Sequence, residues 1–253
     1  MKKLAVIAAV LFGVSGLSAA QAAEDAPSPP ELHWSFDGIF GTFDRAQLQR
    51  GFQVYKEVCA ACHSLDYVAF RNLSGLGYNE EQIEAFAADF TVTDGPDETG
   101  EMFQRPGEPA DRFPAPFANE QAARYANGGA NPPDLSLMAE ARAGGADYIH
   151  ALLTGYTDPP SDVELLPGQY YNEYFPGHAI SMAPPLSPDV ISYADGTEAT
   201  VDQMETDIAA FLRWTSEPQL EQRKTMGVKV ILFLLVFTGI LYAVKRKVWA
   251  DLH

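Results

Sequence analysis

Hydrophobic positions fall into three regimes along the chain: a short apolar run at the start, a long middle in which apolar residues recur between polar loops, and an unbroken apolar run near the end. In the middle region, Leu48, Phe52, Tyr55, Cys59 and Cys62 keep helical spacing. Asp44 stands as N-cap with Gln47 placed to reach back, so an amphipathic helix is expected to end at the cysteine pair. Gly51 lies inside that helix at a cost of about 1 kcal/mol. Further helices are expected over 79–90, 120–125, 135–143, 146–154 and 201–217. The pair 135–143 and 146–154 is split by Gly144-Gly145. Residues 91–119 and 155–200 are rich in Gly, Pro and acids, show no period, and read as loops. No strand-rich segment and no internal repeat stand out. The fold class is therefore mostly α, with long loops.

The two apolar runs differ in kind. Lys2 and Lys3, the Leu4–Leu17 stretch and Ala20-Gln21-Ala22 form the pattern of a secretory signal over residues 1–22. The stretch is short for a membrane span. Val230 to Val244 carries no charge and is apolar on every face, which is the signature of a membrane helix rather than a core helix. Extended to residues 226–246, it admits Lys229 near one end, where the side chain can snorkel. Lys245, Arg246, Lys247 and the interfacial Trp249 follow. Basic residues flank both ends, so the export signal sets the orientation. Residues 23–222 form an exported domain, 226–246 the anchor and 247–253 a cytoplasmic tail.

Charge narrows the partners. Residues 23–222 contain 33 Asp and Glu against nine Lys and Arg, a balance of −24, and the one lysine is Lys56. Nucleic acid is repelled by such a surface and is excluded as a partner. The field serves solubility and also favours a basic protein partner.

The chain holds two cysteines, and both lie in Cys59-Ala60-Ala61-Cys62-His63. This is the attachment pattern of a c-type haem: two thiols three residues apart reach two vinyl groups, and the next histidine meets the iron. A zinc site at this pair would need further ligands, and no second Cys pair or His pair stands at ligand spacing. A thioredoxin-like pair would follow a strand, whereas a helix precedes this one. A disulfide would be strained and would leave His63 unexplained. Electron-transfer haems often add a methionine as sixth ligand. Met102, Met138, Met182, Met204 and Met226 are available, and Met182 sits in the rigid Ser181-Met182-Ala183-Pro184-Pro185 loop. His178 is the rival, with a surface-loop role as its plainer reading.

An ordered set of segments goes further than the haem motif. It comprises Gly51-Phe52-Gln53-Val54-Tyr55, Asp66-Tyr67-Val68-Ala69, Gly100-Glu101-Met102-Phe103, Arg105-Pro106-Gly107, Asn131-Pro132-Pro133-Asp134-Leu135-Ser136, Leu152-Leu153-Thr154-Gly155-Tyr156, Met182-Ala183-Pro184-Pro185, Phe211-Leu212-Arg213-Trp214 and the final anchor. In this order, over nearly all of the mature chain, the sequence resembles the cytochrome c1 family, the haem subunits of ubiquinol–cytochrome c oxidoreductase. The resemblance implies a cytochrome c-like domain carrying one covalent heme c, with His63 and Met182 as axial ligands. It implies that Asn131-Pro132-Pro133 packs against the haem and that Arg142 and Tyr148 meet a propionate. It implies electron transfer from a Rieske iron–sulfur protein to a basic cytochrome c, beside cytochrome b, with no substrate chemistry of its own. The expected location is a bacterial inner membrane, crossed once, with the haem domain on the periplasmic side. Some bacterial relatives carry a second cysteine pair before the methionine. This chain has none, so its 155–181 loop is expected to hold by packing alone.

Overall fold

The computed structural model describes residues 26–250. The expected signal segment, 1–22, lies outside them. Seven helices carry the architecture: α1 Arg45–Glu57, α2 Glu80–Ala88, α3 Glu120–Ala126, α4 Met138–Ala141, α5 Ala146–Thr154, α6 Val201–Ser216 and α7 Leu220–Val248. Capping residues set several starts. Asp44 accepts from the Ala46 and Gln47 amides, but its own amide donates to Ser35 Oγ rather than to Gln47. The reciprocal box forms instead at α2, where Asn79 and Gln82 exchange both bonds.

The core lies where α1 crosses α6, with α4 and α5 packed on the other side of α6. Phe52 on α1 meets Phe211 on α6 at 5.8 Å between ring centroids, and Phe86 and Phe113 edge-on. Phe70, Phe90 and Trp214 extend this aromatic centre. The crossing is close enough that a Cβ on Gly51 would stand 2.2 Å from the Asp207 carbonyl oxygen. The glycine that helix propensity disfavours is thus required by the helix it packs on. Beside it, the fully buried Asp207 carboxylate takes Arg50 at 2.8 Å and the Gln203 amide at 2.9 Å. A buried carboxylate needs such partners, because desolvation is otherwise uncompensated.

Four short strands correct the expectation of plain loops. Within 91–119, β1 Thr91–Asp94 pairs antiparallel with β2 Phe103–Pro106. Within 155–200, β3 Tyr170–Tyr171 pairs with β4 Ala179–Ile180. The first hairpin is mostly exposed, so it lacks the alternation of buried and exposed side chains that marks a strand in sequence. Polar contacts hold it: Arg105 bonds Asp94 on the facing strand and both oxygens of Asp111. The expected helix over 135–143 shrinks to α4. The Asp134 side chain takes the Ser136 amide and makes a turn first, and Gly144 and Gly145 at positive φ end the helix.

Helix α7 is the one helix among the described residues long and apolar enough to cross a membrane. Its 29 residues give about 43 Å, against a hydrocarbon core of about 30 Å. It begins at Leu220, six residues before the expected anchor. This first stretch is part of the domain: Leu220 is buried, Glu221 accepts from the Phe43 amide and pairs with Arg45, and Lys224 donates to the Phe36 and Gly41 carbonyls.

The crossing at Gly51 yields a direct test. Gly51→Ala should destabilise the domain by about 3 kcal/mol, because backbone rather than a pliable side chain blocks the new methyl. Denaturant unfolding followed by tryptophan fluorescence measures it.

Candidate functional site

The site is built from the end of α1. That helix stops at Glu57, and Cys59–Ala61 continue as a single tighter turn. The Cys62 and His63 amides both bond back to the Cys59 carbonyl, at 3.0 and 2.9 Å. One turn therefore presents both thiols and the imidazole. The thiols are free. Burial, then the neighbouring Cys62, pushes the Cys59 thiol up to about 12. A thiolate is disfavoured in this place, whereas an uncharged thioether suits it.

His63 Nδ1 stands 2.7 Å from the Pro133 carbonyl oxygen. A carbonyl only accepts, so Nδ1 carries the proton. Burial lowers the imidazole below its ordinary value against the opposing pull of Pro133 and Asp134, which favours the neutral ring. Nε2 is then left with its lone pair available to a metal. The Tyr55 hydroxyl donates to the His63 carbonyl at 3.0 Å, which ties the motif back onto α1.

The Pro133 carbonyl is itself held in place. Asp134 Oδ2 accepts from Ser64 Oγ at 2.8 Å and the Asp66 amide at 2.7 Å, while Oδ1 accepts from the Ser136 amide. Ser136, fully buried, accepts from the Tyr67 amide, and the Leu135 amide donates to the Ser64 carbonyl. Residues 131–136 are thus laced to 63–67 across a large sequence gap. Sequence reading placed Pro133 at the haem but gave no role to Asp134, Ser136 or Tyr55, which stood only within family segments. A short polar side chain flanked by prolines and leucines was the available signal.

Among the five methionines of the described residues, Met204 is fully buried inside α6, Met102 and Met226 are exposed, and Met138 packs on the core. Met182 is half-buried in an extended segment, and its carbonyl accepts from the Tyr156 hydroxyl at 3.0 Å. Tyr156 is a further residue that the sequence placed in a family segment without a role. His178 is occupied locally. Its Nδ1 lies 3.2 Å from the Asn172 carbonyl, its ring stacks on Tyr171, and its backbone sits at φ 58° in the turn between β3 and β4. Asn172, fully buried, secures the same loop through the Leu152 carbonyl and the Tyr174 and Phe175 amides. The 155–181 loop is therefore held by a buried amide as well as by packing. Arg142 follows α4 and is exposed, while Tyr148 on α5 is half-buried. Burial raises the Tyr148 phenol, and the nearby Arg142 guanidinium lowers it, so the two side chains are neighbours.

A helical domain that offers a Cys-x-x-Cys-His turn with an oriented imidazole, rooted on one membrane-length helix, is an anchored c-type cytochrome. The Cytochrome C1 family matches residues 34–252. "Cytochrome c1" of Rhodospirillum rubrum is 50% identical, over 99% of this chain and 97% of its own. "Cytochrome c1, heme protein, mitochondrial" of Saccharomyces cerevisiae is 50% identical over 91% of this chain and 75% of its own. "Cytochrome b/c1" of Bradyrhizobium diazoefficiens is 49% identical over 99% of this chain, which spans 40% of that longer protein. The chain belongs to the cytochrome c1 family, haem proteins of electron transport.

The clamp around Pro133 carries its own test. Asp134→Asn replaces the acceptor-only carboxylate that faces two amides and a hydroxyl with an amide whose NH2 can only donate. It should cost about 2 kcal/mol of stability, since charge-assisted bonds are lost and a donor faces a donor. Thermal unfolding of the purified protein reads this directly.

Proposed function

We propose that the chain relays single electrons from a Rieske iron–sulfur protein to a basic cytochrome c, as the c1 subunit beside cytochrome b. The observation that carries this is the His63 imidazole, fixed by Pro133 with Nε2 available, in the same turn as two free thiols. Cys59 and Cys62 would hold the haem through thioethers, and His63 with Met182 would ligate its iron. Pro133 would pack against the ring, and Arg142 with Tyr148 would meet a propionate. When bound, the haem supplies a one-electron ferric–ferrous couple. The residues do the rest. Pro133 keeps His63 in one tautomer, and Tyr156 pins the loop that presents Met182. A thioether ligand from Met182 would favour the ferrous state, as a relay taking electrons from a high-potential donor requires.

The domain organisation follows the same reading. Residues 1–22 direct export, 23–222 form the periplasmic haem domain, 226–246 span a bacterial inner membrane, and 247–253 remain in the cytoplasm. The acidic surface is the docking face for a basic acceptor. Asp94 on the β1–β2 hairpin and Asp111 beyond it are tied to Arg105. Asp97, Glu98, Glu101 and Glu108 face solvent and are free to act at longer range.

Two outcomes test this function. Met182→Leu should retain covalent haem, seen as haem migrating with the denatured polypeptide, while the weak near-infrared methionine–iron band disappears and quinol-driven reduction stops. The swap conserves volume and should cost less than about 1.5 kcal/mol. His178→Gln should change neither signal. A variant pattern the other way round would assign the sixth ligand to His178. Separately, the rate of electron delivery to a basic cytochrome c should fall steeply as ionic strength rises toward a Debye length of about 8 Å. A flat salt profile would restrict the acidic surface to solubility.

A further inference from the structure

Away from the haem motif, α5 and α6 bring together three side chains that the electron-transfer reading does not use. His150 on α5 faces Asp202 and Glu205 on α6, and one ligand atom from each lies within 4.8 Å of the others. The two carboxylates are three residues apart, which places them on one face of the helix. Glu205 is 5% exposed, His150 is half-buried and Asp202 is open to solvent.

The surroundings leave this cluster uncompensated. Among the described residues, neither Asp202 nor Glu205 takes part in an ion pair, and Glu205, 5% exposed, has no hydrogen-bond partner while its carboxylate oxygens keep a narrow opening to solvent. From Ala143 to Leu212 the chain contains no Lys or Arg at all. An unpaired buried carboxylate is expensive, and native proteins resolve it by pairing, by a proton or by a metal. Elsewhere on the same helix the pairing solution is used: Asp207, two residues on, takes Arg50 and Gln203.

We propose that His150, Asp202 and Glu205 form a binding site for a divalent transition cation of the zinc class, outside the haem site. One imidazole and two carboxylates are a borderline donor set suited to zinc, and three protein ligands leave positions for water on the open Asp202 side. Magnesium and calcium prefer all-oxygen sites and are poor fits to the imidazole. The cation would neutralise the buried carboxylate and bridge α5, which carries Tyr148, to α6.

Proton competition supports the same site. Burial, then Asp202, raises the Glu205 carboxyl to about 7. Burial lowers the His150 imidazole below its ordinary value against the pull of Asp202 and Asp147. Cation binding would displace the Glu205 proton and strengthen as pH rises from about 6 to 8.

The test is calorimetric titration of zinc into the haem-loaded, detergent-solubilised full chain after chelator treatment. One saturable site is expected for zinc and none for magnesium. His150→Phe and Glu205→Gln should each weaken zinc binding roughly tenfold or more, since even loss of an outer partner of a ligand costs that much. Zinc should also raise the melting temperature of the unmodified chain and leave both variants unmoved. Asp202→Asn, at the exposed first turn of α6, should weaken binding in the same way, and it decides the matter if a buried replacement fails to fold. Absence of saturable zinc binding, or the same affinity in Asp202→Asn as in the unmodified chain, overturns the site.

Discussion

Everything in this domain hangs on the close crossing of α1 and α6. Backbone meets backbone at Gly51, with Phe52 and Phe211 interlocked beside it and Asp207 neutralised by Arg50. This contact sets the position of α1 along α6, and therefore the place where α1 ends. The Cys59–Cys62 turn begins at that end. A c-type site needs two thiols and an imidazole aimed at fixed points on a rigid macrocycle, so an imprecise helix end would spoil it. The aromatic centre supplies that rigidity, because packed rings leave little room for α1 to slide.

From that fixed end, order propagates by hydrogen bonds rather than by further core. His63 is set by Pro133, Pro133 by the Asp134 clamp, and the clamp by the backbone of residues 64–67. The methionine side is treated alike, with Tyr156 on the Met182 carbonyl and Asn172 closing the preceding loop. Loops that carry function are ordinarily the mobile parts of a protein. Here both loops are pinned by buried or half-buried polar side chains, Asp134 and Ser136 in one and Tyr156 and Asn172 in the other.

The anchor is likewise more than an attached tail. Because α7 starts at Leu220, its first turns lie within the domain, and Glu221 and Lys224 grip the 36–45 segment that leads into α1. Membrane helix and haem-motif helix therefore share a support. The orientation of the domain over the bilayer is coupled to α1 through side chains rather than through a flexible linker.

The amino-acid sequence by itself determined the chemistry and the layout. The Cys59–His63 motif, the membrane run, the acidic balance and the main helices α1, α2, α5 and α6 are local or periodic signals, and a linear string carries those in full. It also pointed at Pro133 and Met182, though by resemblance rather than by spacing. Only the tertiary structure decided what depends on residues far apart in the chain. The β1–β2 hairpin is stitched by Arg105 and has no fully buried side chain: β1 alternates only between exposed and half-buried and β2 does not alternate, so the pattern is too weak to read. Asp134, Tyr156 and Asn172 look like ordinary loop residues until their partners arrive from other segments. The necessity of Gly51 is visible only once Asp207, 156 positions later, lies against it. His150 and Glu205 are unremarkable in sequence for the same reason: a cluster of ligands drawn from two helices has no spacing, and folding alone puts its members within reach of one cation.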